Sequence, residues 1–211
     1  PPDHDQLMPL IQEAVQRALR DQECGALRLN WSRGSSPQRG IAPPLPGQHR
    51  FWLTLQPWQP NFLPLTTVVS RLERRNCDSV LSRCKTFAYG QAVQARREAS
   101  QQGCDDALLL NTRGELCCST TANLLLKRGT ENADRPWLTP PLTSGCLPGV
   151  MRARALQLGL AVEAELDESL GPDDQLLLIN SLSCRGVLSL DHQPLSTQAQ
   201  AGESLWRALL N

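Results

Sequence analysis

The stretch Gly90-Gln91-Ala92-Val93-Gln94-Ala95-Arg96-Arg97-Glu98-Ala99, closed by Gly103 and followed by Asp106-Ala107-Leu108-Leu109-Leu110, decides the fold. Residues 90–102 read as an amphipathic helix, and a glycine just past the last turn is the common way for a helix to stop. The short apolar run 106–110 then reads as a buried strand, and Asn111-Thr112-Arg113-Gly114 supplies a turn. Outward from there, Glu115 to Cys118 and Thr121 to Lys127 continue as strands. Pro140, Pro141 and Gly145 mark a loop, and Leu147-Pro148-Gly149 leads into a helix at about 150–159. Val162 to Leu166, Gln175 to Asn180 and Gly186 to Leu190 read as further strands, with an Asp-rich turn between the first two and a closing helix at Glu203 to Leu210.

Toward the other end, Leu7, Leu10, Ile11, Ala14, Val15, Ala18 and Leu19 recur at helical spacing and predict a helix over about 5–21. Ala26 to Trp31 and Arg50 to Leu55 alternate as half-buried strands. The segment 33–47, rich in Gly, Ser and Pro, is loop, and Trp58 to Leu65 reads as the connection between two lobes. Helices and strands are mixed throughout, so the expected class is α/β (α+β) rather than bundle or sandwich.

The 211 residues suffice for a sizeable core. Twenty-one basic and 21 acidic side chains cancel, which argues against a nucleic-acid or membrane-surface partner. No apolar run is long enough to span a bilayer, and a soluble, cytoplasmic protein is expected. Eight cysteines, with no Cys-x-x-Cys pair and only three histidines, make a zinc site unexpected. Several cysteines fall in apolar stretches, where free thiols pack as small hydrophobes; reduced thiols are expected.

Lys85, in Cys84-Lys85-Thr86-Phe87-Ala88-Tyr89, stands just before the 90–102 helix. An amine so placed can form a Schiff base once burial or nearby positive charge favours its neutral form. Gly149-Val150-Met151 opens the next helix, whose free N–H groups can receive a phosphate. Asn123 is suited to capping or bonding a neighbouring turn.

Taken in order, these segments resemble the class-IV aminotransferases and their lyase relatives, the fold-type-IV pyridoxal-phosphate enzymes. The resemblance runs over roughly 70–190: Lys85-Thr86 with Tyr89 and Arg96-Arg97-Glu98-Ala99; Gly103 to Asn111; Gly114 to Leu124; Thr139-Pro140-Pro141-Leu142 with Gly145 to Arg152; and Asn180-Ser181-Leu182. It implies a two-domain fold, with residues 1–65 the remainder of a small N-terminal α/β domain and 66–211 a large cofactor-binding domain. It implies pyridoxal 5'-phosphate as cofactor, carried on Lys85, with Cys118, Asn123, Gly149, Val150, Met151, Asn180 and Ser181 around it, and a homodimer acting on a small molecule. Within the family, Met151 and the loop Ser32 to Gly40 resemble the lyase form, which expels pyruvate from 4-amino-4-deoxychorismate to give 4-aminobenzoate for folate synthesis. Arg33 or Arg39 would there hold a substrate carboxylate. A class-IV transaminase of branched-chain or D-amino acids, working on an amino acid and a 2-oxo acid, is the alternative.

Two departures point to a third possibility, an impaired or non-catalytic homologue. The family places a glutamate, which faces the cofactor's ring nitrogen, where this chain has Cys118. The family's opening segment, with an arginine for the cofactor phosphate, precedes the point at which this chain begins, so the small domain is expected to lack it. Glu115 is expected to face away from Cys118, since residues three apart on a regular strand point to opposite sides, and only a local bulge would bring it in.

Overall fold

The computed structural model describes residues 3–21, 24–36, 38–42, 49–129, 135–198 and 200–211. The chain divides into two compact units, Pro1–Pro60 and Asn61–Asn211, within the proline-bearing stretch expected to connect two lobes. In the first unit, helix α1 (His4–Asp21) accompanies an antiparallel hairpin of β1 (Gly25–Ser32) and β2 (Arg50–Pro57). Leu27, Leu29 and Trp31 pair across it with Leu55, Leu53 and Phe51, so one face is apolar throughout. Of the expected loop, residues 33–36 and 38–42 carry no regular structure; Pro37 and residues 43–47 lie outside the described residues.

The second unit is a sheet of nine strands in the order β5-β4-β3-β10-β9-β6-β7-β8, with β11 (Gln193–Pro194) beside β10. The strands are β3 (Leu65–Arg75), β4 (Asp106–Asn111), β5 (Leu116–Ser119), β6 (Asn123–Lys127), β7 (Trp137–Thr139), β8 (Ala161–Glu163), β9 (Gln175–Asn180) and β10 (Ser183–Leu190). Helices α2 (Gly90–Gln101), α3 (Val150–Gln157) and α4 (Ala201–Ala208) cover its outer side. β5 and β6 are joined by a short turn yet lie far apart in the order, so the sheet curls back on itself.

Successive side chains of a strand point to opposite faces, and this splits the leucine runs between cores. Leu108, Leu110, Leu124, Leu126, Leu176 and Leu178 line the inside of the curl. Their neighbours Leu125, Leu177 and Ile179 pack outward with Met151, Ala155 and Trp206. Ala107 and Leu109 pack outward with Ala95 and Ala99 of α2.

The sequence reading missed β3 and β7. β3 hides from pattern analysis because its buried positions include Thr67 and Ser70, and its second half carries Arg71, Glu73, Arg74 and Arg75. Their partners come from elsewhere in the chain. Thr67 Oγ1 donates to the Ser189 carbonyl at 2.9 Å, and the Val69 N–H donates to Asp191 Oδ1 at 2.8 Å. Between Val69 and Arg74 the register against β4 shifts, and Glu98 of α2, 8% exposed, holds the displaced segment. It accepts from Ser70 Oγ at 2.6 Å, from the Arg71 N–H at 2.8 Å and from the Leu72 N–H at 3.4 Å. The expected strand 162–166 is also shorter than anticipated, ending at Glu163.

Burial works to raise the Glu98 carboxyl, but the hydrogen bonds from Ser70, Arg71 and Leu72 outweigh it and hold the group below the usual carboxylate range. A carboxyl held below its unfolded value stabilises the fold above that value and loses the contribution as pH falls. Glu98→Ala is therefore expected to lower stability at neutral pH by about 2 kcal/mol, by leaving buried donors unpaired. The deficit should shrink below about pH 4 as the parent carboxyl protonates. Urea denaturation at the two pH values checks both.

Candidate active site

α3 starts at Val150, with Gly149 as its N-cap in extended conformation (φ −69°, ψ 141°), as the Pro-Gly turn predicts. The first N–H groups of a helix have no intrahelical acceptor, and the helix dipole adds partial positive charge there. Asn123, the first residue of β6, fixes the approach to this end: its Nδ2 donates to the Leu147 carbonyl at 2.9 Å. Its Oδ1 lies so close to the helix start that a Cβ on residue 149 would meet it at 2.1 Å. Any side chain at 149 would therefore have to push the Asn123 amide aside. Gly149→Ala is expected to displace Asn123, to cost about 1–3 kcal/mol through the broken bond, and to weaken any binding of added phosphate. Thermal melts with and without added phosphate test this.

The turn from β5 to β6 is pinned from several sides. The Ser119 N–H donates to the Ala122 carbonyl at 2.9 Å. Thr120 Oγ1 donates to Asp106 Oδ1 at 2.6 Å, and Arg96 of α2 donates to Thr120 Oγ1 at 2.7 Å and pairs with Asp106 at 3.1 Å. Asn180 joins the same turn, its Nδ2 donating to the Thr121 carbonyl at 3.4 Å. Asn180 Oδ1 accepts from the N–H groups of Leu182 and Ser183 at 2.9 and 3.0 Å, shaping the tight turn that exposes Ser181. A cavity of about 80 Å³ beside it is lined by Asn180, Ser183, Arg96, Asp105 and Arg185 among others.

The structure thus brings Asn123, Gly149, Val150, Met151 and the Asn180–Ser181 turn into one bonded neighbourhood. Cys118 stands one residue before the pinned turn and is 7% exposed. The register shift against β4 falls between Leu109 and Leu110, so Cys117 is an extra residue and both thiols pack in the cluster with Cys146. The Cys117 thiol draws Cys118 below the ordinary thiol range against the opposing effect of burial, and the Arg75 guanidinium assists. Cys117 is pushed far up by the same contact and by burial. Burial pushes Cys146 up to about 11. All eight cysteines are free thiols.

Glu115 precedes β5, and its carboxylate accepts from Asn111 Nδ2 at 2.7 Å and Ser144 Oγ at 3.3 Å. Lys85 is exposed between the short 3-10 turn Val80–Arg83 and α2. No hydrogen bond or ion pair among the described residues engages its amine. Arg33 and Arg39 are exposed in the first unit, on the segment following β1. Sequence reasoning missed the pinning set of Arg96, Asp106 and Thr120, and also Arg75; nothing in their spacing announces contacts made across the fold. Among the described residues, no group of three or more His, Cys, Asp or Glu is placed to hold a metal, and no helix is long and apolar enough to cross a membrane.

An aminodeoxychorismate lyase of Saccharomyces cerevisiae is 33% identical over 78 residues, 36% of this chain and 21% of the yeast protein. The match therefore spans about a fifth of the length of that relative. A structure from Legionella pneumophila, assigned as a 4-amino-4-deoxychorismate lyase, superposes with a TM-score of 0.82 at 26% identity over 99% of this chain and 77% of that one. The branched-chain amino acid aminotransferase of Escherichia coli superposes with a TM-score of 0.79 at 19% identity, over 99% of this chain and 70% of that one, and so shares the fold. The family profile of the class-IV amino-transferases, whose members use pyridoxal phosphate, matches residues 1–190: the chain belongs to the class-IV aminotransferase family.

Proposed function

We propose that the chain acts with pyridoxal 5'-phosphate as a 4-amino-4-deoxychorismate lyase, releasing pyruvate and leaving 4-aminobenzoate. The observation that carries the cofactor part is the open start of α3: Asn123 holds the Leu147 carbonyl, and Gly149 leaves no Cβ between Asn123 and the helix end. That cradle fits a phosphate, and the unengaged amine of Lys85 fits an aldehyde. When bound, the cofactor supplies an electron sink for breaking a bond next to the substrate nitrogen.

The chain's own residues divide the remaining work. Val150 and Met151 offer backbone N–H groups to the phosphate, and Asn180 presents Ser181 beside the pinned turn. Lys85 takes and returns protons at the reacting carbon. Arg33 or Arg39 holds the substrate carboxylate through a guanidinium fork. Aromatisation of the substrate ring supplies driving force. Support for lyase over transaminase comes from Met151 in the helix start and from the lyase relatives in yeast and Legionella. The likeness to the E. coli aminotransferase keeps transamination as the competing activity. A homodimer, located in the cytoplasm, belongs to the same proposal.

The test is direct. Purified chain with pyridoxal phosphate is supplied with 4-amino-4-deoxychorismate, or with an amino acid and a 2-oxo acid, and pyruvate, 4-aminobenzoate and new amino acid are measured. Pyruvate with 4-aminobenzoate in equal amounts supports the lyase. Amino exchange without pyruvate release from aminodeoxychorismate replaces it with the transaminase.

A further inference from the structure

We propose that Arg75 is a positioning residue that clamps the Lys85 segment to the turn leading into Gly149. Arg75 closes β3, and its three guanidinium nitrogens reach three different elements. Nη2 donates to the Ser82 carbonyl at 2.7 Å, Nε to the Gly145 carbonyl at 3.4 Å, and Nη1 to Gln91 Oε1 at 3.5 Å. Ser82 lies three residues before Lys85 and Gln91 six after it, so Arg75 grips both flanks of the segment that carries the amine. Gln91 closes the grip from its side, its Nε2 donating to the Arg74 carbonyl at 2.6 Å.

Gly145 is the fixed point on the other side. Its φ of +89° ends the short 3-10 turn Leu142–Ser144, and a Cβ there would meet the Cys77 backbone at 3.0 Å. Asn111 Nδ2 donates to the Ser144 carbonyl at 3.2 Å, and Ser144 Oγ donates to Glu115, so this turn is held against β4 and β5 independently of Arg75. Four residues beyond Gly145 comes the helix start at Gly149. Among the described residues no hydrogen bond joins the Lys85 side chain to that helix start. The amine and the phosphate cradle keep their separation through the Arg75 fork, which a planar, three-armed cation can make and an ammonium cannot.

The inference rests on Lys85 as the cofactor-bearing amine, and the experiment separates the two. In full-length chain, Arg75→Gln is compared with wild type in two ways. The first is hydrogen exchange at the Ser82 and Cys84 amides without cofactor. The second is the fraction of added pyridoxal phosphate trapped on Lys85 by borohydride, set against the affinity for inorganic phosphate. The expected result is faster exchange and trapping reduced about tenfold or more, with phosphate affinity unchanged. Arg75→Lys should not restore trapping. Unchanged exchange and trapping in Arg75→Gln overturns the clamp, and equal losses of trapping and phosphate affinity reduce Arg75 to a general structural residue and overturn it too. Should Arg75→Gln fail to fold, Gln91→Ala removes one arm without touching the charge. A loss of trapping of about threefold or more then supports the clamp, and none defeats it. A wild-type chain that takes no label on Lys85 defeats the cofactor reading, and the exchange measurement then decides the clamp by itself.

Discussion

Lys85→Ala is expected to lower turnover by roughly a thousandfold or more, since removing a covalent or proton-transferring group from a catalytic set typically costs that much. Stability should hardly change. Lys85 is exposed, and no described residue bonds its amine, so the shift in folding free energy should stay within about 0.5 kcal/mol. That combination separates a chemical role from a structural one. Pyruvate release and a thermal melt on the same preparation measure both, and borohydride trapping should lose its labelled peptide. A variant that turns over at the parent rate would remove Lys85 from the mechanism and leave the proposed function without its central group.

Cys118→Glu is expected to act in the opposite direction, raising turnover by about ten- to a hundredfold at a cost in stability. The family pattern has a carboxylate at this position, facing the ring nitrogen. A thiol is a weak hydrogen-bond partner, whereas a charge-assisted bond to a carboxylate contributes about 1.5–3 kcal/mol in all. Arg75 already sits close enough to lower Cys118, so a carboxylate there would not lack a positive neighbour. The cost follows from burial: Cys118 is 7% exposed in a cluster with Cys117, Cys146, Leu109 and Ala95. A longer side chain must force that cluster apart, at about 1–3 kcal/mol. Turnover at saturating cofactor, together with urea denaturation, gives both quantities. No gain in turnover from a folded Cys118→Glu would mean that the thiol pair is not what limits this chain, and a chain inactive before and after the change would be a non-catalytic homologue.

For Cys118, the fold supplies a reason to treat it as part of a local arrangement: the extra residue Cys117 turns two thiols into one cluster, and Glu115 is spent on Asn111 and Ser144. Strand alternation predicts that Glu115 faces away from Cys118, but the extra residue Cys117 breaks that alternation: Cys118 pairs with Leu109, Leu116 with Leu110, and Glu115 bonds Asn111, because a bulge is fixed by the partner strand and leaves no mark in spacing.

Local chemistry alone determined a good part of this protein. The helices α1, α2 and α3, the strand β4, the hairpin strands β1 and β2, and the helix start at Gly149 follow from periodicity, from Gly103 and from the Pro148-Gly149 turn. The ordered run of segments from Lys85 to Ser181 was enough to point to the family. Tertiary structure decided the rest, for one physical reason: the missing information lay in partners distant along the chain. β3 is a strand because Ser189, Asp191 and Glu98 satisfy its buried polar groups. The leucine runs feed two cores because the sheet curls and gives both faces something to pack against. A Cβ at Gly149 would meet the Asn123 amide, 26 residues earlier, and Arg75 reaches Ser82, Gln91 and Gly145 only once β3, α2 and the Leu142–Ser144 turn have come together.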